Sequence, residues 1–197
     1  MAESFLKNSL FDIRLAQHKD IARVAEVLAI SFYCDRKGNW TFLTNCFYPI
    51  IRWGISVDLN NRLLDLTPHY ACFVVTPDAE PDRIVASAEI CLRHIPIGSS
   101  SFPLFNWNSD RQYPYLFNLA VHPDWRRKGA AKLLIKSVEK TAKSWGCSQV
   151  YMHALENNFA ARSLYDDMGY NFHRFDPELS QWLMGSPRRL LLRKPIN

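Results

Sequence analysis

Polar and apolar residues alternate over Asp12 to Ala16 (DIRLA), the period of a short strand, and apolar residues then recur at helical spacing at Ile21, Val24, Ala25, Leu28 and Ala29. The spacing predicts a first strand followed by an amphipathic helix over Lys19–Phe32. A basic loop, Asp35 to Asn39, leads to a second predicted helix from Thr41 to about Leu59, whose aromatics Trp40, Phe42, Phe47, Tyr48 and Trp53 suggest a buried or ligand-facing side, with the core the expected place. Tyr70–Thr76 and Ile84–Arg93 are β-rich runs separated by the turn-forming PDAEPD, the pattern of a β-hairpin. His94 to Gln112 has no clear period, and its length suits either a functional lid or a mobile segment.

The second half is regular. Tyr115–Val121 reads as an apolar strand, Gly129–Trp145 as a helix with Leu133, Leu134, Val138 and Ala142 on one face, and Gly146 as its stop. A strand over Gln149–Leu155, a helix over Asn158–Met168 and strands over Gly169–Phe175 and Arg189–Arg193 complete the order βα(α)ββ–βαβαββ. The fold class is therefore α/β, with an α+β mixed sheet.

Composition sets limits on function. At 197 residues, 48% hydrophobic and 22% charged, the chain suits a single domain over 1–197, with 1–11 as a tail and 94–112 as a long substrate-side loop. A net charge of +5 fits phosphates, nucleic acid or an acidic partner equally. The five cysteines, Cys34, Cys46, Cys72, Cys91 and Cys147, form no ligand spacing, so no metal is expected and a reducing compartment is. Neither a signal or transit peptide nor a membrane span is read from the sequence.

Two motifs carry chemistry. In Arg126-Arg127-Lys128-Gly129-Ala130-Ala131, Gly129 permits a tight turn and the small alanines leave the helix start open, so successive amides can converge on a pyrophosphate; a solvated basic helix start is the plainer reading. It is neither a P-loop nor a GxGxxG turn. In the second, Asn158-Phe-Ala-Ala-Arg-Ser-Leu-Tyr165 followed by Met168-Gly169-Tyr170, Asn157 or Asn158 can cap a helix that Gly169 ends.

Together these motifs resemble the GCN5-related N-acetyltransferase (GNAT) superfamily. Its R/Q-x-x-G-x-G/A motif matches Arg126, Gly129 and Ala131, and its N-x-x-A-x-x-L-Y-x-x-x-G-F/Y motif matches Asn158, Ala161, Leu164, Tyr165, Gly169 and Tyr170. The resemblance is greatest from Tyr115 to Tyr170 and implies the acyl-CoA N-acyltransferase fold. That fold is a central, mostly antiparallel twisted sheet of about seven strands, splayed between strands 4 and 5, with flanking helices.

It also implies acetyl-CoA as co-substrate, without a metal. Backbone near Leu119, Ala120 and Val121, in a bulged strand, would hold the pantetheine arm and polarise the thioester. Arg126, Arg127, Lys128, Gly129, Ala130 and Ala131 would hold the pyrophosphate, with Asn158, Ala161 and Tyr165 completing the cofactor contacts. Tyr165 would be the general acid. His153 is the first candidate base and Tyr115 its partner, matching a Tyr/His pair of some N-terminal acetyltransferases; Glu89 is a second candidate base. His122 is expected to be structural or solvent-facing.

The resemblance is greatest to plastid and cyanobacterial protein acetyltransferases. It implies a protein or peptide amine acceptor, α-amino or lysine ε-amino, in a bacterial cytoplasm or plastid stroma, acting as a monomer or homodimer with no nucleic acid or membrane partner. The alternatives are a small-molecule amine acetyltransferase and a non-catalytic CoA- or nucleic-acid-binding module.

Overall fold

The alternation that opens the chain is a strand, β1 (Phe11–Leu15), whose Phe11 and Ile13 are buried while Asp12 faces solvent. The computed structural model describes residues 10–33, 42–64, 68–94, 112–176 and 187–196. After β1, a 3-10 turn over His18–Asp20 starts α1 (Ile21–Tyr33). Asp20 fixes that turn by accepting from the Gln17 amide at 2.8 Å and from Arg14 at 2.6 and 3.0 Å. Burial pushes its carboxyl up, but the Arg14 and Gln17 hydrogen bonds outweigh it and hold the group below its ordinary value. All five residues of the predicted α1 stripe are buried.

α2 (Phe42–Leu64) runs past its expected end and contains Pro49. Its inward stripe is Ile55, Leu59 and Leu63, spaced four apart. Trp53, expected in the core, is 69% exposed instead, because two residues from Ile55 places it on the opposite face of the helix. Trp40 and the side chains of Phe42 and Phe47 lie outside the described residues, as do the interiors of the His94–Gln112 and Asp176–Pro187 connections.

The remaining elements are β2 (Tyr70–Pro77), β3 (Ala86–His94), β4 (Gln112–Val121), α3 (Ala130–Ser144), β5 (Gln149–Leu155), α4 (Phe159–Asp167), β6 (Asn171–Asp176) and β7 (Arg189–Pro195). The sheet has seven strands in the order β1-β2-β3-β4-β5-β7-β6. Every β1–β2, β5–β7 and β6–β7 pairing is antiparallel, whereas β4 and β5 run parallel, joined by the crossover that carries α3.

The chain falls into two compact units, Met1–Ile90 with Phe117–Lys140, and Cys91–Leu116 with Thr141–Asn197. In the first, α1 and α2 pack on β2 through Val24, Leu28, Leu59, Cys72 and Val74, with Ala120 of β4 in the same cluster. Six consecutive buried residues in β2 show a strand covered on both faces. In the second, β5 sits beside β7 through seven register pairs, with Tyr151, Met152 and Leu191 nearly inaccessible. The four residues expected on the inner face of α3 are all buried.

Candidate active site

In the first unit, β4 breaks from regular extended geometry at Asn118, whose φ is 50°. A left-handed residue within a strand is the signature of a bulge, and it re-aims the backbone groups that follow. Those groups belong to Leu119, Ala120 and Val121, of which only Ala120 is buried. Asn118 is held by its side chain, which donates to Glu89 at 2.7 Å.

Glu89, on β3, is 1% exposed. Its two oxygens accept from Arg62 Nε at 2.8 Å and Nη2 at 3.2 Å, from the Tyr70 hydroxyl at 2.6 Å and from Asn118. A carboxylate has about four lone-pair sites, so these four bonds saturate it and leave none for an amine proton. Glu89, the second candidate base, is held in place by these four bonds. Burial and the adjacent Glu89 push the Tyr70 phenol well up, while Glu89 and Asp58 outweigh the burial of Arg62 and raise its guanidinium further.

After β4, His122 donates its backbone amide to the Val85 carbonyl at 2.8 Å and caps a 3-10 turn, Pro123–Trp125. That is the structural part expected of it. Arg126 Nε donates back to the Val121 carbonyl at 3.1 Å, and Lys128 lies 4.5 Å over the Trp125 ring. Arg127 and Gly129 both adopt positive φ, 65° and 94°. Left-handed residues interleaved in a turn make successive amides converge into a concave nest, and the first amides of α3 have no partner within the helix. Arg126 to Gly129 are exposed and Ala130 is buried beneath them. The turn therefore suits a pyrophosphate: convergent donors, no bulky side chain at the helix start, and three cations.

In the second unit, the register sets Tyr115 of β4 opposite Tyr151 of β5, and His153, two residues on, shares that face. The Tyr115 hydroxyl lies 2.5 Å from His153 Nδ1, with the rings 5.5 Å apart. Tyr115 is buried, Arg93 lies 5.0 Å over its ring, and His153 is half-buried.

Asn158 caps α4, its Oδ1 accepting from the Ala161 amide at 3.2 Å. α4 ends where Gly169, at φ 84°, lets the Tyr170 amide reach back to the Tyr165 carbonyl at 2.9 Å. Tyr165, 8% exposed, has its phenol pushed up to about 12, by burial first and by Tyr115 second. It keeps its proton throughout the neutral range. Among the described residues, no group of His, Cys, Asp or Glu forms a candidate metal site.

Sequence reasoning passed over Asn118, Arg62 and Tyr70. The signal was present: Asn118 is a polar residue inside the apolar run Phe117–Val121, and such a residue in a strand must find a buried partner or break the ladder.

The acetyltransferase (GNAT) family profile matches residues 39–170, a span that contains both the Arg126–Ala131 turn and the Asn158–Tyr165 motif. The chain belongs to the GNAT acetyltransferase family. It is 30% identical to GCN5-related N-acetyltransferase 10, chloroplastic, of Arabidopsis thaliana over 187 residues, 93% of this chain and 72% of that protein. Over 56 residues it is 36% identical to the ribosomal protein bS18-alanine N-acetyltransferase of Haemophilus ducreyi, 28% of this chain and 39% of that enzyme. The PaiA N-acetyltransferase of Thermoplasma acidophilum, solved in complex with coenzyme A, shares the fold at a TM-score of 0.65 and 17% identity, over 94% of this chain and 98% of its own. The protein is accordingly an N-acetyltransferase, and the seven-stranded mixed sheet with its parallel β4–β5 pair is the GNAT architecture.

Proposed function

We propose that this GNAT enzyme transfers acetyl from acetyl-CoA to protein amines, at α-amino termini and lysine ε-amines, by direct attack of the amine on the thioester. The observation that carries this reading is the 2.5 Å contact between Tyr115 and His153. At neutral pH only roughly one lysine in a thousand is neutral, given a reference pKa near 10.4, so an acceptor amine benefits from a base. As the amine gives its proton to the Tyr115 oxygen, the phenolic proton passes to His153 Nδ1, and a neutral nucleophile results.

In the first unit, the amides following Asn118 are the donors to the pantetheine arm and the polarised thioester oxygen, and the nest at Arg127–Ala131 takes the pyrophosphate. In the second unit, Tyr165 holds its proton for the sulfur as the C–S bond breaks. With its pKa about 12, above a thiol's, it donates a hydrogen bond more readily than it surrenders the proton. Asn158 and Ala161, at the start of α4, complete the coenzyme contacts.

The acceptor reading takes support from a relative named for a ribosomal protein's alanine. A plastid-type compartment takes support from a relative named for the chloroplast. Among the described residues, no helix is long and apolar enough to cross a membrane.

The test is incubation with acetyl-CoA and a peptide library that offers free α- and ε-amines, followed by mass-spectrometric mapping of acetylated sites. Acetylation of peptide amines is expected. Turnover of polyamines or aminoglycosides with peptides untouched would sink the protein-acceptor reading.

A further inference from the structure

The first unit contains a buried polar group that the reaction does not consume. Glu89, Arg62, Tyr70 and Asn118 come from β3, α2, β2 and β4, so four separate elements meet at one carboxylate. Arg62 also pairs with Asp58 one helical turn away and lies 5.5 Å over the Phe117 ring, the residue before Asn118. Taking a carboxylate out of water is costly, and a strand core would be as well packed by an apolar side chain at position 89. The charge therefore serves a purpose other than cohesion.

Asn118 shows what that purpose is. A left-handed φ is unfavourable for a residue with a Cβ, and Asn is among the few types that adopt it because its short amide can bond locally. Here that amide bonds to Glu89, a carboxylate already fixed by a forked guanidinium and a phenol. A charged acceptor gives a shorter, stronger bond than a neutral one. The left-handed turn is thus held from the side, by an oxygen that cannot move.

We propose that Glu89 is a positioning residue for acetyl transfer: fixed by Arg62 and Tyr70, its carboxylate holds the Asn118 side chain and with it the β4 bulge that aims the Leu119–Val121 amides at the donor. The proposal rests on the reading above that those amides receive the thioester arm. Glu89 takes no proton and touches no reacting atom; it acts through Asn118. Donors preorganised for a transition state lose effect steeply when misplaced, and the loss appears in kcat more than in binding.

The experiment combines kinetics with a readout that needs no substrate. Glu89→Gln and Asn118→Ala are compared with wild type by amide NMR and by kcat, KM and pH–rate profiles on the best peptide amine found. In Glu89→Gln, the Leu119, Ala120 and Val121 amide signals are expected to shift while those of β7 stay in place, and kcat to fall roughly tenfold or more with KM for acetyl-CoA within about threefold. The pH profile should keep its shape, and the double variant should lose little beyond either single one. Unmoved Leu119–Val121 signals, wild-type kcat, or loss of the acidic limb, which would mark Glu89 as the base, each overturn the proposal. Should Glu89→Gln fail to fold, Asn118→Ala and Tyr70→Phe decide by the same criteria. If peptide amines are not acetylated at all, the acceptor reading fails alone, and the NMR arm, which needs no acceptor, still tests Glu89.

Discussion

Two polar constellations invite comparison, the Glu89 group of the first unit and the Tyr115–His153 pair of the second. Glu89 is almost inaccessible and accepts four hydrogen bonds, whereas His153 is half-buried and its Nδ1 lies against the Tyr115 phenol. Removing any one partner of a carboxylate so enclosed would leave a buried charge short of a hydrogen bond, so its neighbours hold it in place. By residue type alone both are plausible bases, and the difference lies in how deeply the fold encloses them.

Kinetics on single variants test that contrast most severely. Tyr165→Phe keeps the buried ring and removes its one donor, so kcat should fall by about a hundredfold or more, the range for a hydrogen-bond donor aimed at developing charge, with acetyl-CoA affinity changed less than about threefold. Isothermal titration beside steady-state rates separates the two; equal losses in both would make Tyr165 a binding residue. For His153→Ala the expected fall is on the order of tenfold to a hundredfold, and the acidic limb of the pH–rate profile should vanish. A surviving limb would move the base elsewhere.

Smaller effects test the structural side of the comparison. Asp20 is a second enclosed carboxylate, bonded to Arg14 and the Gln17 amide, and Asp20→Asn should cost about 2 kcal/mol by denaturant melts without altering kcat. Because the folded state holds its pKa below the usual 3.8, its stabilisation is complete above that value and is lost as pH falls below it, a loss the Asn variant should not show. Tyr165 behaves in the opposite sense. With its pKa raised from 10.0 to about 12, its contribution is intact below pH 10 and is lost as pH climbs toward 12; Tyr165→Phe should flatten that alkaline decline in thermal melts. Smallest of all, Gly129→Ala at φ 94° should cost roughly 1–2 kcal/mol of turn strain and raise KM for acetyl-CoA.

Most of the architecture could be read from periodicity because each element buries one face. The α1 stripe and the inner positions of α3 follow directly from residues three and four apart. Trp53 misled because size suggests burial, whereas its angular offset from Ile55 and Leu59 decides the matter. The Arg126–Ala131 turn and the α4 cap were legible as motifs, since their geometry depends on neighbours in sequence. The Glu89 group was not. Its members are separated by 8 to 56 residues along the chain, from Arg62 to Asn118, and only the pairing of β2, β3 and β4 with α2 brings them to one point. The same holds for Tyr115 and His153, 38 residues apart, which a motif could suggest but only strand register could join.

The indole at Trp125 offers a way to watch the turn work. Lys128 and Arg83 lie 4.5 and 5.7 Å over its ring, and Phe11 meets it edge-on, so its emission is set by cations resting on its face. On the reading that the nest takes the coenzyme's pyrophosphate, a dianionic ligand there should compete for the Lys128 ammonium and draw it off the ring. Trp125 emission is then expected to change on titration with acetyl-CoA, with Trp125→Phe as the silent control and no added dye required.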